Sequence, residues 1–181
     1  MLIGEKVDLV AADRAYVPFY TKWINDPEVT QWLKVDPPMS QEMEQGWVDG
    51  IQKEGRMVFT ILTKVGRPIG NTGIEEISWR YRRASIGIMI GEKDHWNRGY
   101  GSDAVNTLLR YCFEELGMRR VELITDSDNH RAQKAYAKCG FKVEGVMRQY
   151  RTKNGRLVDD VMMAILSTDW FGLHPPKTPE E

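Results

Sequence analysis

Apolar residues recur along this chain with two spacings, every second position and every third or fourth, and the switches between them lay out its elements. Val7 to Val10 reads as a short opening strand. Tyr16, Phe19, Tyr20 and Trp23 then fall at helical spacing, and Asn25-Asp26-Pro27 closes that helix. Pro37-Pro38 marks a loop, after which Met43, Trp47 and Ile51 stack four apart on a second helix that Gly55 ends. Met57 to Thr63 and Ile69 to Ile77 are β-rich runs joined by the turn Val65-Gly66-Arg67-Pro68, and the loop Ser78 to Arg83 leads into a third run, Ala84 to Ile90. The clearest helix carries Val105, Leu108, Leu109, Cys112, Phe113 and Leu116 on one face and stops at Gly117. A short strand, Val121 to Thr125, precedes a helix that Asn129 caps and that runs to Cys139, with Gly140 just beyond its end. Phe141 to Val146, Met147 to Arg151 and Asp159 to Leu166 read as further strands, the last two joined by an Asn154-Gly155 hairpin turn. The order predicts a mixed α/β domain over residues 1–170, with about four helices, and a mobile tail over 171–181.

Between the Ala84–Ile90 strand and the strongest helix lies Trp96-Asn97-Arg98-Gly99-Tyr100-Gly101-Ser102-Asp103. Two glycines one residue apart at a helix mouth let successive backbone N–H groups converge on one point. With the positive end of the helix dipole behind them, such a nest suits a phosphate. Arg98 adds a side-chain charge there, and Asp103 in the first turn complements the dipole.

Bulk properties narrow the field. A chain of 181 residues buries an ordinary core as one domain. A net charge of −1 gives no reason to expect nucleic acid or a membrane surface as partner. The three histidines (His95, His130, His174) show no ligand spacing, so no metal site is expected. Cys112 and Cys139 sit at apolar helix positions, as small buried hydrophobes do in a reducing compartment. Charges at Glu5, Lys6 and Asp8 break any signal-peptide run, and no apolar stretch reaches the roughly 18 residues of a membrane span. A soluble cytoplasmic protein is expected.

Two phosphate ligands compete for the nest. Gly99-x-Gly101-x-x-Ala104, with Asp126 downstream, fits a dinucleotide-binding fingerprint. In that fold, however, the first glycine follows its strand almost directly. Here the charged, bulky segment from Gly91 to Arg98 intervenes, and about 80 residues of other elements precede the strand. A second constellation decides: Asn129-x-x-Ala132-x-x-x-Tyr136-x-x-x-Gly140-Phe141. With Arg98 to Ala104 it resembles the GNAT superfamily of acyl-CoA-dependent N-acyltransferases. The resemblance runs from Gly4-Glu5-Lys6-Val7-x-Leu9 and Asn25-Asp26-Pro27-Glu28-Val29, through Arg83-Ala84-x-Ile86-Gly87, to Asp160-x-x-Met163. Within the superfamily the chain is most similar to the branch of ribosomal-protein N-terminal and spermidine/spermine N-acetyltransferases. The usual phosphate motif is Gln/Arg-x-x-Gly-x-Gly/Ala; Arg98 and Gly101 match it, and Asp103 departs from it at the sixth position, as recurs in that branch.

The resemblance implies a central, mostly antiparallel twisted sheet with one splayed parallel strand pair, and acetyl-CoA as co-substrate. Amides of Arg98, Gly99, Tyr100, Gly101, Ser102 and Asp103 would grip the pyrophosphate. Backbone groups near Met89 and Ile90 would hold the pantetheine arm and polarise the thioester carbonyl, with Asn129 contacting the arm from the other side. Tyr136 would protonate the departing thiolate. The chemistry is direct attack of a primary amine, whose proton a carboxylate or an ordered water takes. Glu75 and Glu76 are the candidate bases; strand alternation brings one of them to the cleft, and Glu76 is the preferred one. The acceptor is a small-molecule or peptide amine. Asp26, Glu28, Asp36, Glu42 and Glu44 would suit a cationic one, and Trp32, Trp79 and Tyr81 would line its pocket. A homodimer is compatible with that branch. The alternative is a non-catalytic acyl-CoA sensor of the same fold.

Overall fold

The computed structural model describes residues 1–35, 37–51 and 55–175. Eight strands form one sheet: β1 (Leu2–Ile3), β2 (Val7–Ala11), β3 (Met57–Thr63), β4 (Pro68–Ser78), β5 (Arg83–Ile90), β6 (Arg120–Asp126), β7 (Lys142–Lys153) and β8 (Arg156–Leu166). Their spatial order is β1-β2-β3-β4-β5-β6-β8-β7. Every neighbouring pair is antiparallel except β5 and β6, which run parallel through only three register pairs, Arg83–Arg120 to Ser85–Glu122. Both strands continue past that point without pairing, which opens the expected splay.

The alternating patterns decide what covers each face. Ile61, Ile74, Ala84, Ile86, Val121, Leu123 and Met163 point to one side, where α4 (Tyr100–Arg110) buries Ala104, Val105, Leu108 and Leu109 against them. A single π-turn, Tyr111–Glu115, prolongs α4 and sinks Cys112 and Phe113 into the same core. On the other side α1 (Val17–Ile24), α2 (Pro27–Thr30) and α3 (Gln41–Gly50) cover β3 to β5, with Tyr20, Trp23 and Val29 packed on Met89. Gly91 is required here by close approach: a Cβ on it would lie 2.1 Å from the Trp23 ring. Glu92 ties α1 down by accepting hydrogen bonds from the Trp23 indole at 2.8 Å and from Lys22 at 2.7 Å.

Among the described residues there are two short helices beyond the four expected. One is the four-residue α2, which Asp26 caps by accepting from the Glu28 amide at 2.9 Å. The other is α6 (Ser167–Leu173), which follows α5 (His130–Lys138) in the order of helices. It buries Trp170 beside Phe113, 5.8 Å between ring centroids, so residues 171–173 of the expected tail complete a packed helix. Residues 176–181 lie outside the described part. The two strands expected over 141–151 are one strand, β7, with a break in register between Met147 and Arg151 where Gln149 takes φ 50°. The expected Asp36 contribution to acceptor binding also lies outside the described residues.

Candidate active site

The backbone at residues 99–102 has the conformation that the glycine spacing predicts. Gly99 takes φ 85°, a left-handed conformation that glycine adopts without strain, and α4 begins at the next residue. The first amides of a helix have no intrahelical partner. The Asp103 amide is already spent, donating to the Gly99 carbonyl at 3.0 Å. The free donors are therefore those of Tyr100, Gly101 and Ser102. The Asp103 carboxylate also points elsewhere, accepting from the amides of Lys6 at 2.8 Å and Val7 at 3.0 Å and so pinning the β1–β2 turn to α4. Arg98 is drawn back onto the Asp94 carbonyl, 3.1 Å away. The ammonium at the mouth of the nest belongs to Lys6, which donates to the Arg98 carbonyl at 3.0 Å. Lys6 is far away in sequence, and no local pattern marks it.

The free edge of β5 can be read from its ladder. Gly91 donates to the Ile69 carbonyl at 2.9 Å, which makes Ile90–Gly70 a non-hydrogen-bonded pair and Met89–Asn71 a hydrogen-bonded one. Both backbone groups of Met89 thus belong to β4, whereas those of Ile88 and Ile90 face the gap. Of the two residues expected to hold the pantetheine arm, Ile90 has its backbone groups on the gap side and Met89 does not; the Met89 side chain packs under α1. The Ile90 carbonyl accepts from the Trp96 indole at 2.7 Å.

Glu75 and Glu76 correct a second expectation. The register runs Ile74–Ile86 and then Glu76–Ser85, so Glu75 is an extra, bulged residue. A bulge suspends alternation, and both glutamates emerge on the side of Ser85 and Gly87. The Glu75 carboxylate lies across Gly87, its Oε1 2.3 Å from where a Cβ would stand. Glu76 turns toward a small cavity of about 70 Å³ shared with Ser78, Arg83, Ser85 and Glu122. Both are exposed, and neither has an ion-pair partner among the described residues.

Tyr136 projects from α5 onto the α4-side core, with Phe141 beside it at 5.9 Å between centroids. Burial of its hydroxyl, together with the neighbouring Cys139 thiol and Glu75 carboxylate, pushes its pKa up, so it stays protonated. Glu75, not Glu76, is the carboxylate whose field reaches this hydroxyl. Asn129 caps α5 by accepting from the Ala132 amide at 3.2 Å. Cys139 donates to the Ser102 carbonyl at 3.6 Å, which links the end of α5 to the nest. Burial raises the thiols of Cys139 to about 11 and of Cys112 to about 12, so neither is a ready nucleophile.

The acidic residues expected to draw a cationic acceptor are partly used by the fold. Asp26 and Glu28 both pair with Lys93, at 2.9 and 3.0 Å, and Glu44 is buried. Glu42 is exposed. Trp79 and Tyr81 stand exposed on the β4–β5 loop, and Trp32 holds the Lys153 ammonium 4.0 Å above its ring.

Lys153 belongs to a buried charge cluster that sequence spacing does not reveal. Arg151 bridges Asp126 at 2.6 Å and Asp160 at 2.8 Å, Lys153 reaches Asp126 at 3.1 Å, and Lys34 reaches Asp160 at 3.6 Å. Burial opposes ionisation of Asp126, but the Asp128 amide and the Lys153 and Arg151 charges outweigh it and hold the carboxyl below its usual range. Such a depressed carboxyl stabilises the fold above the unfolded pKa of about 3.9, and the contribution is lost as pH falls through the lower folded value. Arg151→Ala leaves two carboxylates, each 1% exposed, without their shared partner. We expect it to cost about 3–5 kcal/mol in urea unfolding at pH 7, with the loss shrinking below about pH 4.

Among the described residues no group of three or more His, Cys, Asp or Glu could hold a metal ion, and no helix is long and apolar enough to cross a membrane.

Comparison with known proteins gives these features a context. Residues 7–142 match the acetyltransferase (GNAT) domain family. An uncharacterised N-acetyltransferase, p20, of Bacillus licheniformis is 31% identical over 154 residues, spanning 82% of this chain and 85% of that protein. A spermidine N(1)-acetyltransferase of Vibrio cholerae is 25% identical over 170 residues, 93% of this chain and 98% of that one. The crystal structure of a Vibrio cholerae spermidine N-acetyltransferase in complex with CoA and spermine has the same fold. Its TM-score is 0.84 at 24% identity, over 92% of this chain and 98% of that one.

Proposed function

The chain belongs to the GNAT acetyltransferases and is an acyl-CoA-dependent N-acetyltransferase, and from that premise we propose that it acetylates a cationic primary amine by direct transfer, with Glu75 as base and Tyr136 as acid. The observation that carries this reading is the Glu75 carboxylate, laid over Gly87 and within the field of the Tyr136 hydroxyl. Acetyl-CoA occupies the gap between β5 and β6. The amides of Tyr100, Gly101 and Ser102 take its pyrophosphate, and Lys6 adds charge at the same mouth. The Ile88 and Ile90 backbone groups face the pantetheine arm, and an amide there stabilises the oxyanion as the carbonyl carbon is attacked. Asn129 borders the arm from α5.

The amine approaches on the face carrying Ser85, Gly87 and the two glutamates. An ammonium has no lone pair, so Glu75, directly or through a water, takes its proton first. The nitrogen then bonds to the carbonyl carbon, the C–S bond breaks with its electron pair going to sulfur, and Tyr136 delivers its proton to the thiolate; the acylated nitrogen sheds its second proton through water, which leaves a neutral amide and returns a proton to Tyr136. Holding both partners in one gap supplies the remaining acceleration by proximity. The protonated Tyr136 suits the acid role, and neither buried thiol suits a nucleophile's.

Glu75 and Glu76 lie unpaired and exposed beside the gap, and that charge favours an acceptor with a second positive group. The spermidine acetyltransferases among its relatives support a small polyamine, and a peptide N-terminus flanked by basic residues has the same chemistry. We place the reaction in the cytoplasm, where buried free thiols such as Cys112 and Cys139 are kept reduced. A panel of amines supplied with acetyl-CoA tests the reading. Spermidine or a Lys/Arg-rich peptide is expected to exceed a neutral amino acid amide at least about tenfold in kcat/KM, an advantage that shrinks in high salt. Equal turnover of neutral and polycationic acceptors contradicts the cationic assignment.

A further inference from the structure

Trp96, in the loop before α4, and Arg131, in the first turn of α5, meet beside the end of β5. Trp96, three residues before Gly99, turns inward so that its indole N–H donates to the Ile90 carbonyl at 2.7 Å. That carbonyl is the last one β5 directs into the gap, so the ring stands at the gap's mouth. Arg131, in the first turn of α5, lays its guanidinium 4.2 Å from the centre of that ring.

Arg131 is exposed and has no carboxylate partner among the described residues. Elsewhere the arginines at the rim of the sheet are engaged: Arg67 with Glu92 and Asp94, Arg83 and Arg120 with Glu122, Arg151 with Asp126 and Asp160. A cation resting on an exposed aromatic face is held weakly, whereas a guanidinium on a phosphate forms strong, often bidentate hydrogen bonds. The Trp96 ring therefore fixes the orientation of Arg131 while leaving its N–H donors available. The Cys139–Ser102 contact at 3.6 Å ties the C-terminal end of α5 to the first turn of α4, while the Trp96 contact ties its first turn to the loop before α4.

We propose that Arg131 is a phosphate-binding residue for the acyl donor, pre-positioned by Trp96 beside the loop that leads into the amides of Tyr100 to Ser102. This rests on the reading of the gap as the acetyl-CoA site and adds a side-chain contact from α5 to the backbone grip of α4. The shared chemistry is a phosphate oxygen, from either the pyrophosphate or the 3′-phosphate of CoA.

Calorimetric titration with CoA and with dephospho-CoA, using wild type, Arg131→Ala, Arg131→Lys and Arg119→Ala, tests it. Arg119 is exposed just before β6, at the paired end of the β5–β6 gap, so its variant matches the change in net charge away from the nest. Arg131→Ala is expected to weaken CoA about tenfold or more, Arg131→Lys to recover part of the loss, and Arg119→Ala to match wild type. If the loss persists with dephospho-CoA, the contact is to the pyrophosphate; if it vanishes, the contact is to the 3′-phosphate. Either result supports the assignment. Arg131→Ala binding CoA as tightly as Arg119→Ala overturns it, provided circular dichroism shows both variants folded. If wild type itself fails to bind CoA, the reading of the gap falls, and this proposal falls with it.

Discussion

Replacing Tyr136 with Phe is expected to lower kcat by about a hundredfold or more while leaving CoA affinity within about a factor of two. General acid catalysis by a placed side chain contributes typically 10²–10⁴. Only the hydroxyl is removed, and the ring keeps its contacts with Phe141 and the surrounding core. The loss therefore belongs in the chemical step, where a thiolate must otherwise leave without a proton. Burial and the nearby Cys139 and Glu75 raise the Tyr136 pKa, so the wild-type hydroxyl stays protonated across the neutral range. A stopped-flow measurement of thiol release at saturating acetyl-CoA separates chemistry from binding. A variant that keeps its rate but loses CoA affinity would make Tyr136 a wall of the pantetheine channel and no acid.

The second large effect is expected at Gly87, which touches no reacting atom. Glycine here is not demanded by backbone conformation; it leaves room for the Glu75 carboxylate, 2.3 Å from where a Cβ would sit. That carboxylate is the far end of a flexible side chain, so Gly87→Ala pushes it aside and leaves the strand intact. We expect kcat/KM to fall about tenfold to a hundredfold with the melting temperature unchanged or slightly raised, since alanine costs less than glycine to order in a strand. Glu75→Gln should fall at least as far, and Glu76→Gln should stay within a few-fold of wild type. The opposite ranking, with Glu76→Gln inactive and Gly87→Ala active, would return the base to Glu76.

Periodicity and caps made most of the fold legible. The strands from Met57 to Ile90, the α4 stripe and the Asn129 cap all emerge where hydrophobic spacing and turn residues put them. The splay came from family resemblance, because a parallel pair that separates after Ser85 has no local signature. Three features escaped for separate reasons. The bulge at Glu75 breaks a period of two, so the expectation that alternation brings only one of Glu75 and Glu76 to the cleft side does not apply to this strand. The helix carrying Trp170 is only seven residues long and owes its stability to contacts with Phe113 and Glu114, distant in sequence. Lys6 at the nest and the Asp126–Arg151–Asp160 cluster are long-range pairings, which no window along the chain contains.

The nest differs in detail from the sequence expectation. Asp103 looked like one more phosphate-facing amide; its carboxylate instead holds the N-terminal turn, and its amide closes the first turn of α4. The departure from the usual small residue at that position thus has a structural use, which is to place Lys6 beside Gly99.

Direct transfer from thioester to amine is the central claim, and intact-protein mass spectrometry tests it most directly. With acetyl-CoA alone the protein should keep its mass and release no thiol. On adding a polyamine, free thiol should appear in a one-to-one ratio with acetylated amine. A protein that gains an acetyl group, with a burst of thiol before any acceptor is present, would contradict the account.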